Sequence, residues 1–113
     1  MADEPEEFVP EGAAVLPEIP AELGVHPLLL AVLHAIIFLD GSANEVVNPD
    51  AASEAMEYMV AYLQRLQGAE LRRLQEDIHA LAAFARQEKW PKQHVRFFKD
   101  FLDNFGIGEE EEA

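Results

Sequence analysis

The sequence predicts an all-α fold, a small antiparallel four-helix bundle with extended acidic tails at both ends. Three observations carry that expectation. Four segments place apolar residues at helical spacing. Asn-Pro, Gly and Trp-Pro signals separate those segments at short intervals. Short connections favour antiparallel neighbours. No stretch reads as a strand, and no segment repeats another.

Residues 1–22 come first. They hold Pro5, Pro10, Pro17 and Pro20 among seven acids and no base. Proline lacks the N–H that helices and sheets need, and like charges repel, so this segment is expected to be an extended tail. Phe8, Val9, Val15, Leu16 and Ile19 are more apolar than a solvated tail requires, and the stretch from Val15 to Ile19 is expected to dock along the body.

The first helix is expected from Pro27 to Leu39, because proline suits a first helical turn and Asp40-Gly41 follows as a stop. Its apolar residues run round the whole helical wheel, the pattern of a helix buried on every side. Ala31 and Ala35 make one side narrow enough for another helix to approach closely. An all-apolar helix in a body this small needs cover from three helices and the tail, or from a second subunit, so a homodimer through residues 27–39 is one expectation.

The second helix opens at Asn48-Pro49-Asp50, an N-cap, a first-turn proline and an acid at the positive helix end. Ala52, Ala55, Met56, Met59, Leu63 and Leu66 form its apolar side at steps of three and four, and Gly68 is expected to stop it. The third helix, from about Ala69 to Glu88, carries Leu71, Leu74, Ile78, Leu81 and Ala85 as a narrow seam. Trp90 precedes a proline and so leaves helical geometry. The fourth helix starts at Pro91, faces inward through Val95, Phe98, Phe101, Leu102 and Phe105, and stops at Gly106 and Gly108. The expected organisation is therefore a tail over 1–22, one helical domain over 23–108, and an acidic tail over 109–113.

The net charge of −14 is unevenly placed. The seven acids before residue 23 and the four after residue 108 leave the body at only −3. Within the body, residues 23–64 carry five acids and no base, and residues 65–108 carry six acids and all eight bases. The chain has no cysteine, which excludes disulfides, thiolate metal sites and cysteine nucleophiles. That absence, with an acidic N-terminus where a secretory signal would be basic and then apolar, points to a cytoplasmic setting. The apolar run from Leu28 to Leu39 is too short to cross a hydrocarbon core about 30 Å thick, so no membrane is expected.

Several residue patterns raise chemical possibilities. Glu76 and His79 have the spacing of carboxylate-bridged di-iron bundles, but such sites need two of these motifs and two more glutamates. Asp40, Ser42 and Asn44 open like a calcium loop, yet its sixth and twelfth positions are Glu45 and Ala51 where glycine and glutamate belong. Both are read as ordinary surface residues. His34 and His94 interrupt apolar faces and are the candidate polar anchors of the core. The expected arrangement is burial with one hydrogen-bond partner each, and a metal or pH-sensing role would require that they meet. Two serines, no threonine and scattered glycines offer neither a nucleophile elbow nor a phosphate loop, so no catalytic residue, metal or cofactor is assigned.

Arg86, Lys89, Trp90, Lys92, Arg96 and Lys99 cluster at the junction of the third and fourth helices. Phosphate or single-stranded nucleic acid could bind there. A solvated face with Arg96–Asp100 and Lys99–Asp103 pairs is the plainer expectation for so acidic a chain, and nucleic acid is not the expected partner. Glu54, Glu57, Tyr58 and Tyr62 form a candidate surface for a basic protein partner, the tyrosines with rings inward and hydroxyls wet.

The leading functional expectation is a non-enzymatic protein-interaction module. It would be an adaptor or small regulatory subunit, including an immunity or antitoxin-like inhibitor of a basic partner. The alternatives are a helical-bundle enzyme or ligand carrier with an interhelical pocket anchored by a core histidine, and phosphate or nucleic-acid binding through the basic stripe.

Overall fold

The computed structural model describes residues 11–108. The acidic stretches expected over residues 1–10 and 109–113 lie outside the described residues. Four α-helices follow a short 3-10 turn at Ala21–Leu23: α1 (Pro27–Gly41), α2 (Pro49–Leu63), α3 (Gly68–Gln87) and α4 (Lys92–Asn104). No strand occurs among the described residues. The helices associate mainly as two hairpins, α1 with α2 and α3 with α4. Leu33 and Ile36 from one hairpin and Ile78, Leu81, Phe98 and Phe101 from the other share a single core.

The helix starts follow local chemistry. Asn48 caps α2 by accepting the Ala51 N–H on its side-chain oxygen at 3.0 Å. At α1 the cap is His26, whose Nδ1 accepts the Leu28 N–H at 3.1 Å.

The ends of α3 and α4 share one motif. After α4, the Ile107 N–H returns to the Leu102 carbonyl and the Gly106 N–H to that of Asp103. After α3, the Trp90 N–H returns to Ala85 and the Lys89 N–H to Arg86. Both are Schellman closures, which need a left-handed residue in the middle. Gly106 fills that place at φ 63°, and Lys89 fills it at φ 59°. The residue after each closure then packs inward: Ile107 is buried, and Trp90 meets the Phe84 ring edge-on at 5.7 Å.

The segment before α1 belongs to the folded body. Leu16, Ile19 and Val25 are buried in the core, so the body begins well before residue 23. The segment is held to the α1–α2 loop by two hydrogen bonds, Ala43 N–H to the Gly12 carbonyl at 2.8 Å and Ala14 N–H to the Ser42 hydroxyl at 2.9 Å. Its other end meets α3. Asp77, the buried charged residue among those described, accepts the His26 backbone N–H at 3.1 Å and the Arg73 Nε–H at 3.1 Å. Arg73 also donates to the Gly24 carbonyl at 3.0 Å. The prolines of this segment keep it out of α-helix but do not prevent docking, because extended backbone can still turn Leu16 and Ile19 to the core while Pro17 and Glu18 face outward.

Helix α1 is not buried all round. Leu29, Leu33, Ile36 and Ile37 face the core, while Leu28, Ala31, Ala35 and Phe38 are exposed on the opposite side. The three other helices and the N-terminal segment cover about half of its circumference.

Candidate functional site

The exposed side of α1 continues onto α2. At about 100° per residue, Ala51, Ala55, Tyr58 and Tyr62 share one flank of α2, and all four are exposed. The far flank of α2, with Ser53, Glu57, Val60 and Gln64, turns to a cleft shared with Asp103, Asn104 and Phe105, where the Gln64 amide donates to the Phe105 carbonyl at 2.7 Å. The Tyr58–Tyr62 flank is therefore the one turned away from the α3–α4 layer. With the Leu28–Phe38 side of α1 it forms the outer face of the first hairpin. Leu28 is 72% exposed, Tyr58 60%, Tyr62 59% and Phe38 39%. The tyrosine rings thus lie outside, not against the core as expected, because α2 is pinned inward through Ala52, Met56, Met59 and Leu63. The Arg65 guanidinium sits over the Tyr62 ring at 4.8 Å, a cation–π contact at this edge. The four residues expected to act together are split, since Glu57 belongs to the α4 side and Tyr58 and Tyr62 to the outer face.

A second feature opens beside Leu28. Leu28, Leu29, Val32, Leu63, Leu66 and Leu74 line an apolar cleft of about 500 Å³ where α1, α2 and α3 meet, with Glu70, Arg73 and Asp77 on one wall. The sequence holds one local signal for it. Asp77 stands three residues after Leu74 and four before Leu81, an acid at seam spacing on α3. The convergence of three helices has no signal in the local pattern.

The basic residues do converge. Arg86, Lys92, Arg96 and Lys99 line one cleft of about 420 Å³ with Trp90, Val95 and Asp100. Lys89 is outside that lining and serves the chain reversal after α3. Arg96–Asp100 and Lys99–Asp103 do not form the expected ion pairs. Among the described residues the pair that closes is Arg73–Asp77 at 3.1 Å. Trp90 is enclosed by Phe84, His94 and Phe98, so its ring pins the α3–α4 corner and is a poor open platform for a stacked base.

The two candidate anchors occupy separate settings. His34 is half-buried on α1, and His94 meets Trp90 edge-on at 6.3 Å between centroids. Desolvation lowers the pKa of each below the usual 6.5, so both are held toward the neutral form. No hydrogen bond joins them, and neither lines any of the clefts described above. Glu76 and His79 are exposed. Among the described residues no three His, Asp or Glu side chains gather closely enough to hold a metal ion, and no helix is long and apolar enough to cross a membrane. The chain matches no family model, no curated protein and no solved structure.

Proposed function

We propose that this protein is a non-enzymatic protein-interaction module, an adaptor or small regulatory subunit, that works through the outer face of the α1–α2 hairpin. One observation carries the reading. Leu28, Phe38, Tyr58 and Tyr62 remain exposed together on one face while Leu33 and Ile36, on the same helix as Leu28, are fully enclosed. Hydration of that face is a standing cost that a partner removes, and contiguous exposed apolar side chains are characteristic of interaction surfaces. The aromatic anchors suit a binding hot spot. Residues 23–64, which form this hairpin, carry five acids and no base, which favours a basic partner and supports the inhibitor version of this reading. The absence of cysteine supports a reducing, cytoplasmic setting.

Affinity capture with quantitative mass spectrometry tests the reading. The full chain is compared with Leu28→Ser and Tyr58→Ser variants whose helicity is unchanged by circular dichroism. The expected result is a defined partner, this chain itself included, whose recovery falls at least roughly tenfold with either variant. Equal recovery by all three proteins overturns the outer face as the binding surface.

The apolar cleft beside Leu28 supports a second reading, a carrier of a small apolar ligand. Its polar wall is Arg73 and Asp77, not a histidine. Saturable binding of a medium-chain fatty acid by calorimetry, lost in Leu63→Gln, is the expected result on that reading. No heat of binding removes it.

A further inference from the structure

We propose that the outer face of α1 is closed by a second copy of this chain, with the two α1 helices antiparallel about a two-fold axis. This rests on the reading of that face as the interaction surface and names its occupant. The stripe Leu28, Ala31, Ala35, Phe38 is spaced three, four and three residues apart and reads large, small, small, large. Both the spacing and the sizes are the same from either end. A two-fold axis passing between Ala31 and Ala35 sets Leu28 opposite Phe38 of the second copy, and Ala31 opposite Ala35. The alanines then let the two backbones approach closely, as small residues do where helices cross. An isologous contact requires this kind of self-complementary patch.

Knob and hole are both present in each copy. The apolar cleft opens beside Leu28 at one end of the stripe, and Phe38, 39% exposed, stands at the other end. The antiparallel register carries Phe38 of each copy to Leu28 of the other, at the rim of that cleft. A cleft of about 500 Å³ has room for a phenyl ring.

Area and charge agree with this occupant. The exposed parts of Leu28, Phe38, Tyr58 and Tyr62 supply roughly 500 Å², and Ala31, Ala35, Ala51 and Ala55 with the helix surface between them extend the face toward the roughly 800 Å² per partner of a stable interface. No charged residue lies between Pro27 and Leu39, so the axis meets no like-charge contact. Repulsion between two chains of −14 acts over longer distances, where salt screens it, and association therefore strengthens as salt rises.

The experiment uses sedimentation equilibrium and cysteine crosslinking of the full chain, whose lack of native cysteine leaves no background. The expected result is a dimer mass at micromolar concentration, weakened at least roughly tenfold by Ala31→Glu, which places two carboxylates at the axis of an otherwise apolar contact. Under mild oxidation, an equimolar mixture of Ala31→Cys and Ala35→Cys chains crosslinks as the mixed pair faster than either variant alone, because a disulfide needs Cα atoms within about 7 Å. A monomer at every concentration overturns the proposal, as does a dimer indifferent to Ala31→Glu. Faster crosslinking of Ala31→Cys with itself overturns the antiparallel register. A monomeric chain that still captures a different protein in a Leu28-dependent way defeats this inference and leaves the interaction reading standing. Capture and self-association both indifferent to Leu28 and Ala31 defeat the two together.

Discussion

Asp77 accepts the backbone N–H of His26 across 51 positions of sequence, and this contact docks the entry of the first helix onto the third. The carboxylate is buried and is also held by Arg73. Asp77→Ala removes both interactions and leaves the His26 N–H without that partner. The expected cost is about 1 kcal/mol, the net worth of these partly buried hydrogen bonds, because water can reach the His26 N–H once the carboxylate is gone. Urea denaturation of the variant checks it. A midpoint unchanged from the parent would show that water replaces the carboxylate at no cost.

Lys89 occupies a left-handed position that Gly106 fills in the matching closure after α4. A side chain there meets steric strain that glycine avoids. Lys89→Gly is expected to stabilise the fold by about 0.5–1 kcal/mol, and Gly106→Ala to destabilise it by about 1 kcal/mol. Thermal melts of the two variants should move in opposite directions. Movement of both in the same direction would contradict the shared role of the two positions.

His34 and His94 give stability a pH dependence of defined sign. Burial lowers both folded-state values below 6.5, so the unfolded chain binds protons more readily. Their contribution is fully present above the unfolded value and is lost as pH falls through 6.5 toward the folded values. The urea midpoint should therefore be lower at about pH 5.5 than at about pH 7.5, a window above the normal carboxylate range. The His34→Gln/His94→Gln double variant should show a flatter profile, and an unchanged slope would place the titration elsewhere.

Leu28 and Leu33 separate binding from folding within one helix. Leu33 is fully enclosed and Leu28 is 72% exposed. Leu33→Ala should cost about 2–5 kcal/mol through lost burial and a cavity, while Leu28→Ala, measured at a chain concentration where the protein is monomeric, should stay within about 0.5 kcal/mol. Equal losses in chemical denaturation would mean that Leu28 packs against its own chain.

Much of the fold was legible locally. Asn48-Pro49, the Leu71–Ala85 seam and Gly106 each act through neighbours in sequence, so helix order and type could be read without tertiary information. Gly68, expected to stop the second helix, is instead the first residue of α3, and α2 ends earlier at Leu63. The end of α3 was legible only in part. Trp90-Pro91 marked it, but the left-handed turn at Lys89 had no glycine to announce it, and it accompanies the packing of Trp90 against Phe84. The basic cluster was legible as a group because Arg86 to Lys99 span one helix-to-helix corner. The roles of Trp90 and Lys89 within it depended on contacts and backbone geometry.

The sequence by itself determined four helices, the Asn48 cap of α2, the Gly106 stop of α4, the asymmetric charge and an α1 with apolar residues on every side. Those are properties of composition and period. The tertiary structure decided which side of α1 meets the core and which stays open, because an all-apolar helix has no polar face to orient it. Tertiary packing also drew residues from Leu16 to Val25 into the core, turned Tyr58 and Tyr62 outward, and joined three helices around the cleft beside Leu28. The physical reason is the same in each case. Apolar side chains state that they prefer burial, but only the packing of all elements determines which of them find cover and which remain open to a partner.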